Sequence, residues 1–438
     1  MPRDIDLLSG WVTDARRRTI ELARTLGPGQ LLGPRLAIVN PPLWELGHVA
    51  WFQERWVLRH ASGRAPLRPD ADALYDSIAI PHDTRWGLPL PSLADTAAYL
   101  RAASAAALEA LRALRPEDRY FVELSVLHED MHAEAMAFSR QTLGWAAPAL
   151  ADPGAREGGA AARDPGATGG GPLAGDARVP GGGFRLGSTP DEPFVFDNEK
   201  WAHEVEVLPF SIARAPVTQA AFAAFVEEGG YVRRELWSEA GWAWRAAAGA
   251  AAPVHWLREG GAWRRRDFDR SVPLEPHRPV VNVCLHEAEA YCRWAGRRLP
   301  TEVEWEVAAT GEPGQGGRLA PVKRRYPWGD APPDPARVHL DFRALQTLDV
   351  GALPAGDSAF GCRQMIGNVW EWTSSPFLPY PGFSPDPYKE YSEPWFRTHH
   401  AVRGGSFATT GRLVRGAFRN FYEPHRRDPW IGFRTCAP

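Results

Sequence analysis

The chain has 438 residues, 44% of them hydrophobic and 24% charged, and 50 basic against 53 acidic side chains leave a net charge of −3. That length exceeds one compact core and implies two or three domains. The balanced charge gives no electrostatic footprint for nucleic acid or a membrane surface. No apolar run is long enough to span a bilayer. The start, Met1 to Asp6, is charged and lacks the apolar core of a secretory signal, so a cytoplasmic protein is expected. The four cysteines, Cys284, Cys292, Cys362 and Cys436, form no CxxC pair and read as reduced thiols.

In chain order, residues 1–145 read as helical. Leu8, Trp11 and Val12, then Ile20 and Leu22 to Leu26, recur at helical spacing. Asn40-Pro41-Pro42 interrupts, and the proline pair suits the start of a second helix running to Arg59. Thr96 to Leu114 is rich in Ala and Leu and predicts a third helix. After Arg115-Pro116, a fourth runs over Glu117 to Thr142. Four helices with short connections imply a bundle. Residues 146–178 are almost all Ala, Gly, Pro, Asp and Arg, with no aromatic side chain, and read as a linker. Residues 179–438 show short strands, turns and loops rich in tryptophan, with helices expected over Thr218 to Glu228 and His286 to Ala295. That is an α+β or mixed domain rather than an alternating βαβ one. Many of the chain's 19 tryptophans lie there, which suits irregular loops pinned by large buried rings.

The chemistry-bearing feature is His128-Glu129-Asp130-Met131-His132 in the fourth helix. Side chains four apart share a helical face, so His128 and His132 can address one metal ion. His48, in the second helix, is a candidate third ligand, since bundles build metal sites from inward side chains of neighbouring helices. Neutral imidazole suits iron, zinc, copper and nickel alike. Taken alone, His48 also reads as an ordinary core histidine. The same segment matches the H-E-x-x-H zinc-protease motif, with Glu129 as general base. The extended form of that motif needs Gly at 135 and His at 138, where the chain has Ala135 and Phe138.

Pro42-Leu43-Trp44-Glu45-Leu46-Gly47-His48 and His128-x3-His132-x-Glu134 resemble the DinB-like domain of the ergothioneine-type sulfoxide synthases. The second half resembles the formylglycine-generating-enzyme-like (C-type-lectin-like) domain fused to it in that family. The matching stretches include Arg298-Leu-Pro-Thr-Glu-Val-Glu-Trp305, Tyr326-Pro-Trp-Gly-Asp330, Gly367-Asn-Val-Trp-Glu-Trp372, Arg403-Gly-Gly-Ser406 and Gly432-Phe-Arg434. The resemblance covers nearly the whole chain apart from the linker. It implies an Fe(II) enzyme that uses O2 to join a chalcogen to C2 of the hercynine imidazole. His48, His128 and His132 would be its metal ligands and Tyr380 its catalytic tyrosine. Asn420 would bind the hercynine carboxylate and Phe421 would face its quaternary ammonium, with Tyr422 beside them in the same substrate-binding segment. Arg85 and Arg426 would fork a donor carboxylate; a surface or inter-domain ion pair is the commoner fate of an arginine. Tyr380 could equally be a loop aromatic packed on its neighbours.

The chain departs from the family where thiol-using members tend to carry His-Glu-Gln-Gln-His and Asn-Trp-Asp. Asp130 and Met131 stand at the first, and Asn420-Phe421-Tyr422 at the second. The segment Leu74-Tyr75-Asp76-Ser77, followed by Asp83-Thr84-Arg85-Trp86-Gly87-Leu88-Pro89-Leu90-Pro91, is similar to the selenoneine-forming branch, whose donor is a selenosugar. That branch is the first expectation and a cysteine-containing thiol donor the second. A zinc protease, or a non-catalytic lectin-like binding module, are readings from other classes.

Overall fold

The structure, a computed structural model, describes residues 4–150 and 170–438. The chain divides into two compact units, Met1–Ala151 and Asp152–Pro438.

The first unit is helical. Helix α1 (Ile5–Arg24) is capped by Asp4, whose side chain accepts from the Asp6 amide. Helix α2 (Pro42–Gln53) opens on proline, as its fixed φ allows at a first turn. It does not run on as α-helix to Arg59 but continues as a π-helical stretch, Glu54–Ala61. A short α3 (Ala71–Tyr75) precedes α4 (Leu93–Leu111), capped by Ser92, and α5 (Arg119–Leu143), which ends on left-handed Gly144. Leu8, Val12 and Ala15 of α1 meet Val57, Leu58, Ala107, Leu111, Val122 and Val126 in one apolar core. Arg16 of α1 is buried among them and ties the bundle together. Its guanidinium donates to Leu100 O at 3.1 Å, Gln53 Oε1 at 3.0 Å and Glu129 Oε2 at 3.1 Å.

In the second unit, strand β1 (Asp176–Val179) takes in the last three residues of the stretch expected as linker; residues 151–169 of that stretch lie outside the described residues. The reason is alternation. Ala177 and Val179 are buried while Asp176 and Arg178 face out, and the strand pairs antiparallel with Phe210–Ala213. Strands β2 (Gly182–Leu186) and β3 (His203–Val207) form a second antiparallel pair, followed in sequence by β4 (Phe210–Ala213). Helices α6 (Gln219–Glu227) and α7 (Glu239–Ala247) lead to a three-stranded meander, β5 (Trp256–Glu259), β6 (Ala262–Asp267) and β7 (Arg270–Pro273). Then come α8 (Leu285–Trp294), α9 (Glu302–Thr310) and the pair β8 (Gly311–Pro313) and β9 (Leu319–Lys323). The largest sheet has the order β12 (Asn420–Tyr422), β11 (His400–Arg403), β10 (Trp370–Pro376), β13 (Ile431–Gly432). Trp305, Trp370 and Trp372 are fully buried, in line with rings pinning short elements. All four cysteines are buried and unpaired with one another.

Candidate metal centre

Helices α2 and α5 bring His48, His128 and His132 together, with one potential ligand atom from each within 4.8 Å of the others. Each of two rings is oriented through Nδ1. His48 Nδ1 lies 2.9 Å from the Tyr75 carbonyl oxygen, and His132 Nδ1 lies 2.7 Å from Glu45 Oε1. A carbonyl and a carboxylate only accept, so both rings carry their proton on Nδ1, which presents Nε2 as a lone-pair donor. An imidazole fixed by a carboxylate or carbonyl behind it is the recurrent way proteins aim a metal ligand. His128 is held by stacking. The ring of Phe52 lies flat on it, with centroids 3.5 Å apart and 6° between planes. On the other side of the site Trp44 stacks on His48 at 4.8 Å. Burial, with the neighbouring histidine rings close by, pushes His48 and His128 well below the usual histidine range, so both are neutral, as ligands must be.

The local sequence explains the placement. Gly47 lets α3 close on α2, because a Cβ there would lie 2.1 Å from the Tyr75 ring. Without that approach the Tyr75 carbonyl would not reach His48. No role at the site was read from sequence for Glu45, Tyr75, Phe52 or Gly47, although Glu45, Gly47 and Tyr75 lie in stretches that resemble the family. Glu45 had a signal, since Glu-x-x-His on a bundle helix is a known metal-site spacing. Glu129, the would-be general base of a zinc protease, is 1% exposed and ion-paired with Arg16 at 3.1 Å.

The remaining expected residues lie as follows. Arg85 is buried in the first unit. It donates to Asn40 Oδ1 at 2.6 Å and sits 4.0 Å over Trp44, the ring that covers His48, so it supports the site from behind. In the second unit, Asn420, Phe421 and Tyr422 form β12 at the edge of the largest sheet. Asn420 Oδ1 accepts from the Phe421 amide at 2.8 Å, and Phe421 stacks on Phe377 at 4.1 Å. Arg426 lies 5.6 Å over the Tyr422 ring and forks onto Asp428, with both contacts at 2.6 Å. Tyr380 belongs to an apolar core with Phe184 and Leu186, under the guanidinium of Arg419 at 4.1 Å. Its hydroxyl is buried without a hydrogen-bond partner, and burial raises its pKa far above the usual phenol value, which keeps the proton on.

Known proteins extend this picture. The model of the DinB superfamily matches residues 12–149, and that of the Sulfatase-modifying factor enzyme 1-like domain matches residues 163–437. The hercynine oxygenase of Mycolicibacterium thermoresistibile is 41% identical over 98% of this chain and 94% of its own. That of Mycobacterium tuberculosis is 42% identical over 96% of each. The formylglycine-generating enzyme of Streptomyces coelicolor is 35% identical over 58% of this chain and 86% of its own.

Proposed function

The chain belongs to the hercynine oxygenase family, a DinB domain joined to a sulfatase-modifying-factor-like domain, and from that premise we propose that it forms a carbon–selenium bond. It is an oxygen-using oxidoreductase. Its substrates in this reading are hercynine, O2 and a selenosugar, joined at C2 of the hercynine imidazole with oxidation at selenium. His48, His128 and His132 hold Fe(II). The donor set fits: three neutral imidazoles leave positions for exogenous ligands, with no thiolate or carboxylate among them to favour another metal class. Bound iron supplies the activation of O2. Asn420, with its oxygen taken by the Phe421 amide, keeps its amide N–H groups for the hercynine carboxylate. Phe421, backed by Phe377, offers a flat π face to a trimethylammonium group. Tyr380 is assigned the proton donor, supported by a protonated phenol with no partner in the protein.

The choice of donor rests on one observation. The two arginines expected to fork a donor carboxylate are already engaged, Arg85 with Asn40 and Trp44, and Arg426 with Asp428. Together with Tyr422 in place of an acid, this favours a donor without amino-acid charges. The test is reaction of the purified protein with Fe(II), hercynine and O2, supplying a 1-selenosugar, γ-glutamylcysteine or cysteine in turn, with products read by mass spectrometry. Turnover with a thiol and none with the selenosugar would replace the selenium reading by a sulfoxide-forming one. Zinc retention with peptide cleavage would overturn both.

A further inference from the structure

The first unit contains an aromatic route leading away from the metal site that the bond-forming reaction does not require. His48 Nδ1 meets the Tyr75 carbonyl at 2.9 Å. The Tyr75 ring, fully buried, lies 6.3 Å from the ring of Tyr99, with 22° between their planes. The Tyr99 hydroxyl donates to Glu54 Oε2 at 2.8 Å. Glu54 has no exposed surface, receives the Leu67 amide on the same oxygen at 3.2 Å, and its nearest cation, Arg59, stands 3.9 Å away. Tyr99 also lines a cavity of about 530 Å³ with Leu67, Arg68, Pro89, Pro91 and Asp95, which opens to solvent. A carboxylate with so little compensation is a costly group to bury. It stands where the proton of an oxidised phenol has to go.

We propose that Tyr75 and Tyr99 form a protective relay that carries oxidising equivalents from the metal site to a small thiol-class reductant at this cavity. The need arises when O2 is consumed and no donor is bound, a side reaction that an oxygen-using site must survive. Tyr99 gives up one electron toward the site by way of Tyr75 and His48, and its phenolic proton passes to Glu54. The thiol returns one electron to Tyr99, Glu54 returns the proton, and the proton of the thiol goes to solvent. Four such thiols end as two disulfides, and the four electrons they supply, with four protons from solvent, reduce one O2 to two waters. The route depends on the reading above only for a metal and O2 at the three histidines, not for the identity of the donor.

The test uses the full chain loaded with Fe(II) and exposed to O2 without hercynine or donor, then frozen. Electron paramagnetic resonance should show a tyrosyl signal that is lost in Tyr99→Phe. Mass spectrometry should show oxidation moving from Tyr99 to His48 and Trp44 in that variant, with faster loss of bound iron. Glu54→Gln keeps an acceptor for the hydroxyl but removes the base, and should also lose the signal. Tyr75→Phe keeps the ring over Gly47 and should behave likewise; circular dichroism identifies any variant that fails to fold. Glutathione should quench the wild-type signal. An unchanged signal and unchanged damage pattern in folded Tyr99→Phe and Glu54→Gln would overturn the relay. Failure of the protein to bind iron would instead overturn the metal assignment.

Discussion

In the helical unit, the buried ring of His48 and the part-buried ring of His132 each give one nitrogen to the protein and keep the other toward the site. In the second unit, the buried guanidiniums of Arg419 and Arg434 give every nitrogen to the protein. Arg434 reaches both oxygens of Glu371 at 2.7 and 2.8 Å and the carbonyls of Ala213 and Arg363. Arg419 does the same with Glu302 and the carbonyls of Asn198 and Leu378. Polar burial therefore reads differently in the two places. Complete pairing marks a group that fixes a fold built from short strands, and half-pairing marks a group reserved for something else.

His132→Ala should break that contrast most sharply. It removes a ligand and leaves the buried Glu45 carboxylate without its ring partner, so iron and activity should be lost together while the helical circular dichroism remains. Metal analysis of the purified variant decides it. Arg434→Met is the matching change in the second unit. It strands Glu371 and should cost about 3–5 kcal/mol of stability, the range for breaking a buried pair, measured by denaturant unfolding. A loss below 1 kcal/mol would mean the pair is not as dry as its burial indicates. Glu45→Gln sharpens the comparison without removing a ligand. Weakening the acceptor behind His132 should reduce iron affinity about 10–100-fold, read by competition with a chelator. Acid should distinguish the ordinary buried histidines. Burial and Arg266 push His255 down to about 3, and burial pushes His339 down to about 4. Each is neutral when folded and takes a proton when unfolded below its ordinary 6.5. Stability should be full above that value and fall by about 1.4 kcal/mol per pH unit for each, flattening near 4 for His339 and near 3 for His255. A stability flat from pH 7 to 4 would contradict this.

The bundle and the paired histidines were legible because both depend on helical spacing, which sequence carries directly. The π-helical continuation of α2 was not, since Trp56, Val57 and Leu58 continue an apolar pattern that an α-helix would also accept. The role of Arg85 was hidden for a different reason. An arginine in an irregular segment looks like a surface cation until the fold lays it over Trp44. Tyr380 sits in a loop of prolines and glycine that gives no period, so packing stood only as one of two readings, and neither Phe184 and Leu186 as its distant partners nor its unpartnered hydroxyl was legible. Strand β1 was missed because Ala177 and Val179 are too few to register against the Gly- and Ala-rich stretch before them.

Gly47 has no side chain and touches no metal, yet the closeness of α3 to α2 depends on its being bare. Any larger residue pushes Tyr75 away, and the carbonyl that decides which nitrogen of His48 carries the proton goes with it. In a survey of variants scored for retained iron, position 47 should therefore group with the three histidines, although a survey of contacts would not place it there. The missing atom at 47 acts as a constraint on tautomer, transmitted through one peptide carbonyl.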